Sequence, residues 1–146
     1  MKICIIGTGY VGLVSGVCFA DLGNIVHCVD NDIVKLNKLN QGFIPIYEPG
    51  LKEIVKKNYE DKRLIFTTDL KKAVTYSDIL FICVGTPTIK NSNSVDLKYV
   101  FSVVNEIKKY IKKFKIIITK STVPVTTGDK IEKMISSVVK RKLFEV

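Results

Sequence analysis

Gly7, Gly9 and Gly12 fall in a G-x-G-x-x-G spacing within GTGYVG, and Asp30 follows eighteen residues after the last of them. Glycines so spaced suit anionic phosphates. The first permits a tight turn, the second keeps a side chain away from an approaching pyrophosphate, and the third lets a following helix pack closely. The free N–H groups at that helix's amino end, with its dipole, favour negative charge. A carboxylate placed like Asp30 accepts hydrogen bonds from adenosine ribose hydroxyls and repels a 2′-phosphate, which favours NAD over NADP. Lys35, five residues later, also attracts phosphate, so NADP stays open on charge alone. Without its context the glycine motif is equally an ordinary turn.

Two later stretches set polar residues behind apolar runs. Gly85, Thr86 and Pro87 follow ILFICV; Lys120, Ser121, Thr122, Val123 and Pro124 follow KIIIT. A hydroxyl at such a strand end can hold a ribose, a water or a developing alkoxide, and either stretch is also compatible with a plain turn. Cys4, Cys18, Cys28 and Cys83 lie in apolar segments without a C-x-x-C pair, so buried reduced thiols are expected and no metal site. His27, in NIVHCVD, reads as structural.

The elements that must position these residues alternate along the chain. Strand patterns at KICII, IVHCV, RLIFT, ILFICV and KIIIT are separated by helix-period stretches at 10–22, 32–40, 49–58, 69–75 and 97–113, with another at 127–140. Runs such as IIIT and ILFICV are continuously apolar, as strands covered by helices on both faces must be. The pattern predicts an α/β, Rossmann-type doubly wound fold with a mostly parallel sheet, helices on both faces and a ligand crevice at the strands' carboxyl ends. Asp69 is placed to cap LKKAV, Gly23 to close the first helix and Gly42 to follow the second. The polar loop IKNSNS (89–94) is read as mobile.

The 146 residues suit one domain, 1–146. Their 23 Lys and Arg against 14 Asp and Glu give a net charge of +9, yet only Arg63 and Arg141 are arginines. The densest lysine cluster (Lys108, Lys109, Lys112, Lys113 and Lys115) reads as one solvated helix face, so no nucleic-acid partner is expected. No secretory signal is visible and the apolar runs are far short of the ~20 residues of a membrane span, so a cytoplasmic protein without a membrane partner is expected. KLFEV reads as a strand that stops as it begins, which suggests the amino-terminal piece of something longer.

GTGYVGLVSG, CVD with Lys35, IPIYEPGL (44–51), FTTDL (66–70), VGTP (84–87) and KSTVPVTTG (120–128) together resemble the amino-terminal domain of the UDP-glucose 6-dehydrogenase family. The resemblance covers essentially the whole chain, and IPIYEPGL points to UDP-glucose within a group that also includes GDP-mannose and UDP-N-acetylmannosamine dehydrogenases. It implies that Gly7, Gly9, Tyr10, Val11 and Gly12 meet the NAD pyrophosphate, that Asp30 and Lys35 hold the adenosine ribose, and that Thr86 contacts the cofactor nearer the nicotinamide. Thr122 would be both cofactor neighbour and catalytic residue, positioning a water or proton near the reacting sugar carbon. The implied reaction oxidises the sugar's C6 alcohol to a carboxylate in two hydride transfers, through a cysteine-bound thioester. None of the four cysteines here matches that nucleophile, so the chain alone is expected to be inactive. The resemblance also implies a UDP-sugar substrate and a homodimer for the full-length protein. Thr126 stands where the family has glycine, a departure read as a tolerated turn variation, and IKNSNS is slightly long. A stand-alone dinucleotide-binding module is the alternative from another functional class.

Overall fold

The computed structural model describes residues 1–90 and 94–146; three residues of the polar loop, Asn91, Ser92 and Asn93, lie outside them. β-Branched runs form the strands β1 (Lys2–Ile6), β2 (Ile25–Val29), β3 (Leu64–Thr67), β4 (Ile79–Ile82) and β5 (Lys115–Thr119), with a short β6 (Phe144–Glu145). The helices are α1 (Tyr10–Asp21), α2 (Ile33–Asn40), α3 (Leu51–Glu60), α4 (Leu70–Tyr76), α5 (Lys98–Ile107) and α6 (Thr127–Ser136). Asp69 caps α4 by accepting from the Lys72 N–H at 2.8 Å, and Asp32 caps α2 by accepting from the Lys35 N–H at 2.9 Å. Gly23 and Gly42 follow α1 and α2, their N–H groups donating back to Ala20 and Leu39.

Among the described residues six strands pair in parallel in the order β3-β2-β1-β4-β5-β6. Chain direction across the sheet reverses between β1 and β4, which opens a crevice at the carboxyl ends of these two strands. The strands feed two cores, one on each face of the sheet. Cys4, Ile6, Leu80, Ile82 and Ile117 pack with α4, α5 and α6 through Val74, Val100, Val104, Ile131 and Ile135. Ile3, Ile5, Val26, Cys28, Leu64 and Phe66 pack with α1, α2 and α3 through Leu13, Val17, Leu36, Leu39 and Val55.

Helices do lie on both faces, but they do not cover both faces of every strand. β5 alternates between buried and exposed, with Ile116 and Ile118 open at 39% and 36%, because α1, α2 and α3 sit over the β1–β3 side. α5 ends at Ile107 instead of continuing to 113, and the chain then turns to bury Ile111 and to pack the partly buried Tyr110 against the core. The expected lysine face therefore breaks up. Lys115 is buried at the start of β5, where its ammonium donates to the carbonyls of Ser77 and Thr75 at the end of α4, and burial pushes its pKa down. Cys18 corrects the expectation for the thiols: Cys4, Cys28 and Cys83 are buried, whereas Cys18 is exposed on α1. His27 is buried, edge-on to Tyr76 with ring centroids 4.9 Å apart.

Candidate nucleotide-binding site

The turn from β1 into α1 is built tightly around its glycines. Gly7 has φ +100°, and a Cβ there would stand 2.6 Å from the Cys83 carbonyl oxygen. At Gly12 a Cβ would meet the Gly7 carbonyl oxygen at 1.9 Å and the Cys83 Cβ at 3.1 Å, so this glycine lets α1 settle onto its own entry turn as well as onto the sheet. Gly9 is the opposite case: nothing lies within 4 Å of the position a Cβ would take. It is the N-cap of α1, no side chain caps the helix, and the first turn carries no acidic residue. The first N–H groups of α1 therefore keep their donors for an anion.

Asp30 closes the other end of this unit. Its Oδ2 accepts from the Thr8 N–H at 2.8 Å, the Thr8 hydroxyl at 2.7 Å and the Lys35 ammonium at 2.7 Å; its Oδ1 accepts from the Asp32 N–H at 3.0 Å. Burial alone would raise the carboxyl's pKa, but these four donors outweigh it and hold the group at about 2. The carboxylate is therefore anionic at any physiological pH. Lys35 is turned onto Asp30 in an ion pair, so its charge is already engaged by the strand-end carboxylate.

A cavity of about 490 Å³ brings Gly7, Gly9, Asp30 and Lys35 together with Gly85 and with Tyr99, Ser102 and Glu106 of α5. Tyr10, Val11 and Gly12 do not line it: Tyr10 and Val11 are exposed on the first turn of α1, and Gly12 is buried behind the turn. Thr86 and Thr122 lie outside it as well, half-buried after β4 and exposed after β5 respectively. Their two loops are joined: the Ser121 hydroxyl donates to the Val84 carbonyl at 2.7 Å, and the Lys120 and Ser121 N–H groups both donate to the Ile82 carbonyl. The IPIYEPGL segment turns Ile44 and Ile46 onto the α1-side core and leaves Tyr47 89% exposed. It lines a second concavity of about 460 Å³ that shares no lining residue with the first.

Thr8 is the residue that motif reading passes over. It occupies a free position of G-x-G, and only a hydroxyl facing a strand-end carboxylate could have signalled it. Ser102 and Glu106 share a face of α5, but nothing in the helix pattern marks that face as a cavity wall. Thr126 has φ +75°, the left-handed backbone that glycine tolerates and a β-branched residue does not favour. The glycine turn, the open Gly9 and the anionic Asp30, side by side along one cavity, fit a dinucleotide. Among the described residues no cluster of His, Cys, Asp and Glu could hold a metal, and no helix is long and apolar enough to cross a membrane.

The chain is similar throughout to known dehydrogenases. It is 53% identical over 135 residues to a UDP-glucose 6-dehydrogenase of Rhizobium meliloti (strain 1021), an overlap of 92% of this chain and 31% of the relative. It is 50% identical over 140 residues to the UDP-glucose 6-dehydrogenase TuaD of Bacillus subtilis (strain 168), covering 96% of this chain and 29% of the relative. The chain thus spans about a third of the length of the relatives it matches. Among solved structures, GDP-mannose dehydrogenase from Pseudomonas aeruginosa superposes with a TM-score of 0.92 at 39% identity, over 100% of this chain and 35% of that one. A UDP-glucose dehydrogenase from Pyrobaculum islandicum gives 0.88 at 33% identity, over 97% and 34%. The model of the UDP-glucose/GDP-mannose dehydrogenase family's NAD binding domain matches residues 1–146, and the chain belongs to that family.

Proposed function

We propose that residues 1–146 form one NAD-binding domain of a UDP-glucose 6-dehydrogenase, which oxidises the C6 alcohol of UDP-glucose to the carboxylate of UDP-glucuronate with two NAD. The observation that carries the cofactor reading is one cavity lined by both the open glycine turn at Gly9 and the four-donor carboxylate of Asp30. Bound there, NAD supplies the hydride acceptor. The turn at Gly7 and Gly9 and the free N–H groups of Tyr10, Val11 and Gly12 hold the pyrophosphate, by hydrogen bonds and the α1 dipole. Asp30, with Lys35 beside it, accepts the adenosine ribose hydroxyls, and its charge disfavours a 2′-phosphate. Thr86 orients the cofactor from the end of β4. Thr122, one strand over, positions a water or a proton near the sugar carbon.

No thiol of this chain suits the covalent step. Burial pushes the thiols of Cys4 and Cys28 far up and that of Cys83 to about 11, which leaves almost no thiolate at neutral pH. Cys18 is on the outward side of α1, away from the strand ends. We assign the nucleophile to the remainder of a protein of the relatives' length, and we read that protein as a cytoplasmic homodimer. The 39% identity and close superposition to GDP-mannose dehydrogenase favour a second sugar reading, GDP-mannose, with UDP-N-acetylmannosamine as the third.

Steady-state NADH formation by the protein at its natural length, with each of the three nucleotide sugars, tests the proposal. UDP-glucose is expected to give the highest kcat/KM, with NAD preferred over NADP. Preference for another sugar overturns the substrate, and failure to bind NAD overturns the cofactor.

A further inference from the structure

Thr8 sits between the first two glycines of the turn and is 1% exposed. Its N–H and its hydroxyl both reach the same atom, Oδ2 of Asp30, twenty-two residues on at the end of the neighbouring strand. A hydroxyl donating to an ionised carboxylate makes a bond roughly twice as strong as a neutral one. With Lys35 added, Oδ2 holds three donors, whereas Oδ1 holds only the Asp32 N–H and keeps acceptor capacity for an incoming hydroxyl. Elsewhere the turn is held by its backbone and by close packing at Gly7 and Gly12, and among the described residues no other side chain of the turn bonds Asp30. The Gly7 N–H donates to the Val29 carbonyl at 2.8 Å, and Gly9 has no neighbour where a side chain would be.

We propose that Thr8 is a positioning residue that ties the phosphate-binding turn to Asp30, fixing the spacing between the pyrophosphate cradle and the ribose acceptor and leaving Oδ1 to receive the ribose hydroxyl. This inference rests on the NAD-binding reading of the cavity. The turn at Gly7 and Gly9 and the carboxylate belong to different strand ends, and a dinucleotide must meet both at once. A turn that is free to drift from Asp30 has to be ordered when the ligand arrives, and that ordering weakens binding.

The test compares NAD affinity by calorimetry for the wild type, Thr8→Val and Thr8→Ser, each in the protein at its natural length, alongside thermal unfolding. Valine keeps the buried shape without the hydroxyl; serine keeps the hydroxyl. Thr8→Val is expected to weaken NAD binding about tenfold, with Thr8→Ser within about threefold of the wild type. In an Asp30→Ala background Thr8→Val is expected to change affinity by less than about twofold, since the partner through which Thr8 acts is gone. Wild-type affinity in Thr8→Val overturns the proposal, as does a loss that persists in full without Asp30. If Thr8→Val does not fold, Thr8→Ala takes its place, and a folded Thr8→Ser protein that binds tenfold worse also overturns it. A wild-type protein that binds no NAD overturns the cofactor reading and this proposal with it, whereas binding unaffected by Thr8→Val overturns this proposal alone.

Discussion

Asp30 serves two ends with one carboxylate: four donors of the chain hold it, and the residue lines the cavity. Asp30→Ala is expected to weaken NAD binding by about 1.5–3 kcal/mol, the range for hydrogen bonds to a charged group, as measured by titration calorimetry. The same carboxylate makes stability depend on pH. Its pKa is about 2 in the folded chain against an ordinary 3.8, so the stability it contributes is fully present above the higher value and is lost as pH falls through the lower. Unfolding free energy measured between about pH 5 and pH 2 should therefore decline on the acid side. Asp30→Asn should flatten that part of the curve relative to the wild type.

At the scale of elements, Thr126 is the clearest local conflict. It begins α6 with a left-handed backbone, which costs an L-residue roughly 1–2 kcal/mol. Thr126→Gly removes that cost, offset in part by the freer unfolded chain, and is expected to stabilise by about 1 kcal/mol, read as a few degrees in thermal unfolding. Gly12→Ala is the contrary case. A methyl 1.9 Å from the Gly7 carbonyl must push α1 off its turn, so a loss of about 3 kcal/mol or more is expected, together with loss of NAD binding.

The alternation of β-branched runs with helical stretches made the sheet and its order of elements legible, because a doubly wound fold leaves each strand little freedom to read otherwise. Glycines and a strand-end acid in register marked one side of the cavity. Thr8 was not legible because its role depends on a contact between strand ends, and Tyr99, Ser102 and Glu106 depend on where α5 docks. The end of α5 and the burial of Lys115 escaped for a similar reason: a lysine is polar by type, and only the carbonyls of Ser77 and Thr75 make its burial tolerable.

Across the whole molecule, the helices roof the sheet diagonally, three over the β1–β3 side of one face and three over the other. Among the described residues, β1 and β4 are the strands that place several residues against each core: Cys4, Ile6, Leu80 and Ile82 on one side, Ile3, Ile5, Phe81 and the partly buried Ile79 on the other. Native-state amide exchange is expected to be slowest in these two strands, and faster in β6 and at the outer end of β5. Saturation with NAD at about one hundred times its Kd should add about 2.7 kcal/mol of stability, measurable as an upward shift of the unfolding transition. The crevice opens at the carboxyl ends of this shared wall, which gives the diagonal roof a mechanical meaning. A ligand seated there touches the α1 turn and α5 together, one helix from each face, so occupancy should tie the two helix layers to their common wall and make their loss more nearly a single event.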